Sequence, residues 1–193
     1  MWTTEQPLEA PSALLEAAAV LLEGAGGSLL TTSLNKALFY LDLHALLDTG
    51  ATVTGETYVA LRAGPVVEGY RERLIGELER TRIAMQDDDN PSYMPVILRH
   101  PVKPTRLGAG LVAMAHTIGR WAASKQAVEL SDFSHENPAW QLAWDRGSGQ
   151  GSSIDMRLAI QQLADADPWL DEPLSPSEKS AFGAADVGVS RPW

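Results

Sequence analysis

The segment from about Ser33 to Leu47 predicts a helix that is apolar on nearly all of its sides. Its apolar side chains fall on every face of the helix: Leu34, Leu38, Phe39, Leu41, Leu43, Ala45, Leu46 and Leu47. A surface helix carries one apolar stripe, whereas a helix that is apolar all round must be buried by its neighbours. The rest of the chain is therefore expected to fold around this helix, which would begin at Thr32 or Ser33 and end at Gly50.

Helical composition or periodicity recurs through the rest of the chain. The Ala- and Leu-rich segment 11–23 begins with Pro11 and ends before Gly24. The segment 105–125 is the most clearly amphipathic, and small residues beside its apolar stripe would let another helix approach closely: Gly108, Ala115, Gly119 and Ala122. Further helices are predicted over 65–82, from about residue 130, over 138–144 and over 154–166.

Two short segments favour β-strands, Thr57–Leu61 and Tyr93–His100. Pro95 confines the second strand to a sheet edge or a bulge, because proline cannot donate a ladder hydrogen bond. The two strands flank a predicted helix and are expected to pair as a small ribbon. We therefore expect a mainly α (α+β) fold, a compact bundle of about six helices with a small antiparallel two-stranded β element.

The charge of the chain is concentrated at its ends. Fifteen Lys and Arg against 25 Asp and Glu give a net charge of −10, which argues against a general binder of nucleic acid or anionic membranes. Residues 1–24 carry four acids and no base, and residues 165–193 carry six acids beside Lys179 and Arg191. We expect an N-terminal helix and extension over 1–27, a helical domain over 28–166, and an acidic, mobile tail over 167–193.

Several classes of site are missing from the sequence. The chain has no cysteine, which excludes disulfides, thiolate metal sites and a cysteine nucleophile. It also lacks the HExxH zinc motif, the GxxxxGK[ST] phosphate loop and the GxSxG nucleophile elbow. Neither a secretory signal nor an apolar run of about 20 residues is present. We expect a cytoplasmic protein that needs no cofactor or metal.

Two features could nevertheless carry a function. Asp132 and His135 lie one helical turn apart and could form the acid–base pair of an enzyme, although His135 could equally serve to link helices. Between Asn90 and Val128 the chain has no acid but five cations: Arg99, Lys103, Arg106, Arg120 and Lys125. On one face these would form a positive surface for an acidic protein partner or, in an autoregulator, for DNA.

Three blocks of sequence, in order, resemble the Panacea domain of bacterial and phage antitoxins. The first is LNKALFY at 34–40, the second is Tyr58 followed by RAGPVV at 62–67 and Tyr70, and the third is SHENPAW at 134–140. The residues that recur in the family are, in this chain, Lys36, Tyr40, Gly64, Pro65, Val66, Tyr70, His135, Pro138 and Trp140. The resemblance implies that these residues are structural rather than catalytic.

The resemblance also implies a function. It predicts a mostly helical antitoxin without enzymatic activity, which neutralises a toxin encoded beside it by direct protein–protein binding. Some members of the family are thought to act as adaptors that deliver the toxin to a protease. The alternatives that the residues leave open are an enzyme that uses Asp132 and His135, and a DNA-binding autoregulator that uses the basic segment 99–125.

Overall fold

The computed structural model describes residues 8, 10–87, 94–164, 168 and 169. The α-helices in this part of the chain are α1 (Ala13–Gly24), α2 (Thr31–Thr49), α3 (Glu77–Arg80), α4 (Ala109–Ser124), α5 (Ala127–His135), α6 (Pro138–Trp144) and α7 (Met156–Ala159). The strands are β1 (Ser28–Leu30), β2 (Tyr58–Leu61), β3 (Gly64–Val67), β4 (Ala84–Gln86) and β5 (Pro95–Leu98). A π-helical segment, Arg71–Gly76, leads into α3, and 3-10 turns follow α6 and α7. The fold is mainly α with small antiparallel β elements, as expected.

Helix α2 forms the centre of the molecule, as its all-round apolarity predicts. Its residues from Ser33 to Leu43 are buried, and helices α1, α4 and α5 and strand β3 pack against it. The prediction of a side-chain cap at Thr32 or Ser33 is wrong. Strand β1 runs directly into the helix, and the Thr31 N–H donates to the carbonyl of Met94 at 3.3 Å instead. The helix ends at Gly50 with φ +78°, as predicted.

Helices α1 and α4 pack closely through glycine, which confirms the small-residue face predicted for α4. A Cβ atom at Gly119 would lie 2.2 Å from the carbonyl oxygen of Leu21, and one at Gly24 would lie 2.4 Å from the Cα of His116. Ala115 and Ala122 are buried on the same side. Gly108 differs from the other three, because it lies at the exposed start of the helix with open space beside it.

The predicted strands are present, but their predicted pairing is wrong. Strand β2 pairs with β3 in a hairpin that turns at Arg62 and Ala63, because adjacent segments close at little entropic cost. Strand β5 is the centre of a three-stranded antiparallel sheet of order β1-β5-β4. Pro95 therefore lies in a central strand, which accommodates it because it is the first residue there.

The helix predicted to open at Pro65 begins later. Pro65 lies in β3 opposite Ala60, and the helical backbone starts only after Gly69, which has φ +66°. The predicted boundary fails because a proline fits the first turn of a helix and the start of a hairpin strand equally well.

The Gly- and Ser-rich segment 147–153 and one residue of the predicted mobile tail make specific contacts. Within 147–153, Gly151 donates to the carbonyl of Ala60 at 2.8 Å, and Ala60 donates to that of Ser152 at 2.9 Å. Trp169 falls within the predicted tail, yet it is fully buried against Tyr40 and Trp121. The rest of the tail prediction, residue 167 and residues 170–193, lies outside the described residues.

None of the described helices is both long enough and apolar enough to cross a bilayer.

Candidate functional site

The residues of the three sequence blocks converge on one cluster, which we call the motif cluster: Lys36, Gly64, Ser134, His135 and Trp140. Lys36 comes from α2, Gly64 from the β2–β3 hairpin, Ser134 and His135 from the end of α5, and Trp140 from α6. The cluster thus joins the central helix to the hairpin and to the α5–α6 corner. Segments about 100 residues apart in sequence meet there. Lys36 and His135 lie close enough that the charge of Lys36 lowers the pKa of His135.

Lys36 carries a buried amine in the middle of this cluster. Its side chain is fully buried, and Nζ has no hydrogen-bond partner among the residues described. Burial removes water from the charged form and lowers the pKa of Lys36 to about 7. A lysine in this environment loses its proton more readily than a surface cation does.

Gly64 gives the hairpin its close approach to Lys36. The residue has φ +110°, a conformation that favours glycine, and an added Cβ would lie 2.3 Å from the Ser134 hydroxyl. The Ser134 hydroxyl itself donates to the carbonyl of Ser131 at 2.8 Å. The next two residues, Pro65 and Val66, are buried in β3 and pair with Ala60 and Val59.

His135 is held by an aromatic stack. Its ring lies on Trp140 with centroids 4.1 Å apart, and Trp140 stacks on Trp144 at 5.6 Å. The indole N–H of Trp140 donates to the carbonyl of Leu61, which fixes α6 to the hairpin. Burial lowers the pKa of His135, and the positive charge of Lys36 lowers it further. The imidazole is therefore neutral at physiological pH.

Asn137 and Tyr40 extend the cluster toward the C-terminal segment. The side-chain oxygen Oδ1 of Asn137 accepts hydrogen bonds from the N–H groups of Ala139 and Trp140 and caps α6, which begins at Pro138. Its amide donates to Gln162 at 3.0 Å, and the Tyr40 hydroxyl donates to the same Gln162 oxygen at 3.1 Å. These bonds tie the α5–α6 corner to α2 and to the turn after α7.

Sequence reasoning missed Asn35, although it stands inside the first block. Its side-chain oxygen accepts the N–H of Val67 at 3.0 Å, and its amide donates to the carbonyl of Thr31 at 3.0 Å. The side chain therefore bonds α2 to β3 within the core. An asparagine within a helix that is predicted to be buried was the available signal, because a buried amide needs partners.

Asp132 and His135 line the same shallow hollow, of about 440 Å³, but do not form a bonded pair. Asp132 is exposed, and the structure gives no hydrogen bond between the two side chains among the residues it describes. The His135 ring is instead stacked on Trp140. The described residues contain no group of three His, Asp or Glu side chains that could hold a metal.

The five cations of the basic segment have different environments. Arg99, Lys103 and Lys125 are exposed, whereas Arg120 is half-buried and donates to the Thr117 hydroxyl at 3.2 Å. Arg106 forms contacts with other parts of the chain. Its guanidinium donates to the carbonyl of Ala10 at 2.7 Å and lies 3.4 Å from a Glu16 carboxylate oxygen.

Three neighbouring hollows lie on the surface beside His135 of the motif cluster. The hollow beside His135 shares Thr32 and Ala127 with a second hollow of about 500 Å³. The second includes Tyr70, a residue of the second block, and shares Glu79 and Gln86 with a third hollow of about 680 Å³. Arg99 of the basic segment lines the third. We call the three together the lateral groove.

Comparison with known proteins gives one family. A family model described as "Antitoxin SocA-like, Panacea domain" matches residues 34–141, which is more than half of the chain. The matched range begins on α2 and ends in α6, so it contains the whole motif cluster. No curated protein and no solved structure gives a significant match.

Proposed function

Because this chain belongs to the SocA-like Panacea-domain antitoxin family, we propose that it is an antitoxin that neutralises a toxin encoded beside it by direct protein–protein binding. The observation that carries the proposal is the convergence of all three sequence blocks on the motif cluster. Residues from each of the three blocks pack against one another in the folded chain, which supports a shared structural role for the blocks.

The protein acts by binding rather than by catalysis in this proposal. The stack of His135 on Trp140 accounts for the position of the imidazole, and Asp132 is not bonded to it. Arg106 is bound to Ala10 and Glu16, which removes one of the cations that a DNA-binding autoregulator would use. A cytoplasmic location and a protein toxin as the main partner are parts of the same proposal.

Co-expression with the product of the adjacent gene tests this function. The neighbouring product is induced alone, with the wild-type chain, and with a version of the gene that carries an early stop codon. We expect growth arrest in the first and third cultures, relief in the second, and copurification of the two proteins. A neighbour that is harmless alone, or toxicity that the wild-type chain does not relieve, contradicts the proposal.

Degradation of the toxin is the finer part of the proposal, in which the antitoxin is an adaptor for a protease. An adaptor shortens the half-life of the toxin after translation is stopped, and this effect is lost in a host that lacks its energy-dependent proteases. A blocking antitoxin instead leaves the toxin intact in a stable complex. Immunoblots of the toxin over time, with and without the antitoxin, separate the two mechanisms.

A further inference from the structure

The lateral groove has a floor that is fixed by hydrogen bonds. The Glu79 carboxylate accepts the backbone N–H of Gln86 at 3.1 Å, and the Gln86 amide donates to the Thr31 hydroxyl at 2.6 Å. Thr31 in turn donates to the carbonyl of Met94 at 2.9 Å. These bonds join α3, β4, α2 and the residue before β5, so the groove is preformed and does not depend on a ligand to hold it open.

Exposed apolar side chains are concentrated along the groove. Five large hydrophobic side chains are exposed in the part of the chain that the structure describes, and three of them line it: Met85 (42%), Met94 (40%) and Val128 (59%). An exposed apolar patch on a folded protein is typical of a binding surface. Methionine suits such a surface because its unbranched side chain adapts to the shape of a partner.

Four arginines give the groove the opposite sign of charge to the rest of the chain. Arg62, Arg71, Arg82 and Arg99 are exposed along its length, and the described residues that line it include two acids, Glu79 and Asp132. The Glu79 carboxylate already accepts the backbone N–H of Gln86. The guanidinium groups of Arg62, Arg82 and Arg99 form no ion pair with any described residue. In a protein of net charge −10, this is a surface complementary to an acidic partner.

We propose that the lateral groove is the docking site for a segment of the toxin in which acidic side chains flank large apolar ones. The inference rests on the proposed function, since it takes the partner from there. The apolar side chains would fill the hollows at Met85, Met94 and Val128, and the carboxylates would pair with the arginines on the rim. The methionines distinguish this site from a phosphate-binding surface, which needs cations but no apolar hollows.

Charge reversal at the two ends of the groove tests the proposal. The full-length chain with Arg62→Glu and Arg99→Glu is compared with the wild type for binding to the purified product of the adjacent gene, by calorimetry at two salt concentrations. The matched control is Arg146→Glu with Arg157→Glu, which reverses two exposed arginines that do not line the groove. We expect at least about tenfold weaker binding for the groove variant and less than about twofold for the control.

Photocrosslinking identifies the occupant. A photoreactive amino acid at Met94 should crosslink to an acidic segment of the partner, whereas the same group at Leu142, which is 72% exposed outside the groove, should not.

Equal binding by the groove and control variants overturns the docking site while leaving the antitoxin function intact. A crosslink from Met94 to residues 170–193 of the same chain also overturns it, because the groove would then hold the protein's own tail. Failure of the wild type to bind the neighbouring product refutes the proposed function and the toxin docking site together.

Discussion

The amine of Lys36 lies directly against Gly64, where a Cβ atom added to the glycine would come within 3.0 Å of Nζ and 2.3 Å of the Ser134 hydroxyl. Substitution Gly64→Ala therefore combines a strained φ of +110° with a steric clash in the core. We expect the free energy of unfolding to fall by about 2–5 kcal/mol. Urea denaturation followed by circular dichroism measures the loss.

The matched control for this substitution is Gly55→Ala. Gly55 also has positive φ, +70°, but nothing lies within 4 Å of the position its Cβ would take. It should therefore cost only about 1 kcal/mol, the backbone strain alone. Equal losses for the two variants would show that the contact with Lys36 and Ser134 contributes nothing.

Lys36 itself is expected to destabilise the fold at neutral pH. Replacement by methionine keeps most of the side-chain volume and removes an amine that has no partner among the described residues. Lys36→Met should therefore raise the free energy of unfolding by about 1–4 kcal/mol at pH 7. Urea denaturation of both proteins at this pH measures the gain, and a variant less stable than the wild type would contradict the unpaired state of the amine.

The pH dependence of this gain has a definite sign. The folded-state pKa of Lys36 is about 7, below the ordinary value of 10.5, so between these values the unfolded chain binds the extra proton. Stability of the wild type therefore rises with pH across this window, and the cost of Lys36 is greatest below pH 7. The advantage of Lys36→Met should shrink by up to about 3 kcal/mol between pH 7 and 9.5. An advantage independent of pH would show that Lys36 titrates normally.

Glu16 provides a second test, in which the charged form of the side chain stabilises the fold instead of destabilising it. Its buried carboxylate accepts the backbone N–H groups of Thr105, Arg106 and Leu107 at 2.8–2.9 Å. Burial raises the pKa of Glu16, but these hydrogen bonds together lower it below 4.5. The stabilisation is thus fully present above the unfolded pKa and is lost as the pH falls through the folded value. Relative to Glu16→Gln, the wild type should lose stability in acid denaturation below about pH 4.5.

Arg106 stabilises this same contact and is therefore a poor site for an interface mutation. Arg106→Glu would place a second carboxylate beside Glu16 and remove the hydrogen bond to Ala10. We expect a loss of about 1–3 kcal/mol, whereas Arg99→Glu on the exposed rim should change stability by less than about 0.5 kcal/mol. Thermal unfolding of the two single variants measures both effects, and equal melting temperatures would show that the Arg106 contacts are dispensable.

The sequence predicts the helices better than the contacts between them. The all-round apolarity of α2 identified the buried centre, and Gly119 identified the close packing of α4, because each signal lies within one segment. The pairing of β5 with β1 and β4 could not be predicted in the same way. Strands of three or four residues carry too little pattern to specify a partner far along the chain.

The polar core shows the same limit. Asp42 lies on the buried central helix α2, and its carboxylate accepts hydrogen bonds from the backbone of Val53 and Thr54 and from the Tyr58 hydroxyl. Burial raises the pKa of Asp42. In sequence the residue is an isolated acid in an apolar helix, and only the folded loop supplies the donors that make its burial tolerable.

Trp169 is the residue whose role the sequence obscured most, since it lies among prolines and acids. It is fully buried within an aromatic cluster, with centroids 5.9 Å from Tyr40, 5.7 Å from Trp121 and 6.2 Å from His44. Trp169→Ala in the full-length chain should lower the free energy of unfolding by about 3–5 kcal/mol, because it leaves a large cavity against the central helix. Leu142→Ala, at an exposed position, should cost less than about 0.5 kcal/mol in the same urea titration. If both variants unfold at the wild-type midpoint, Trp169 is not part of the core.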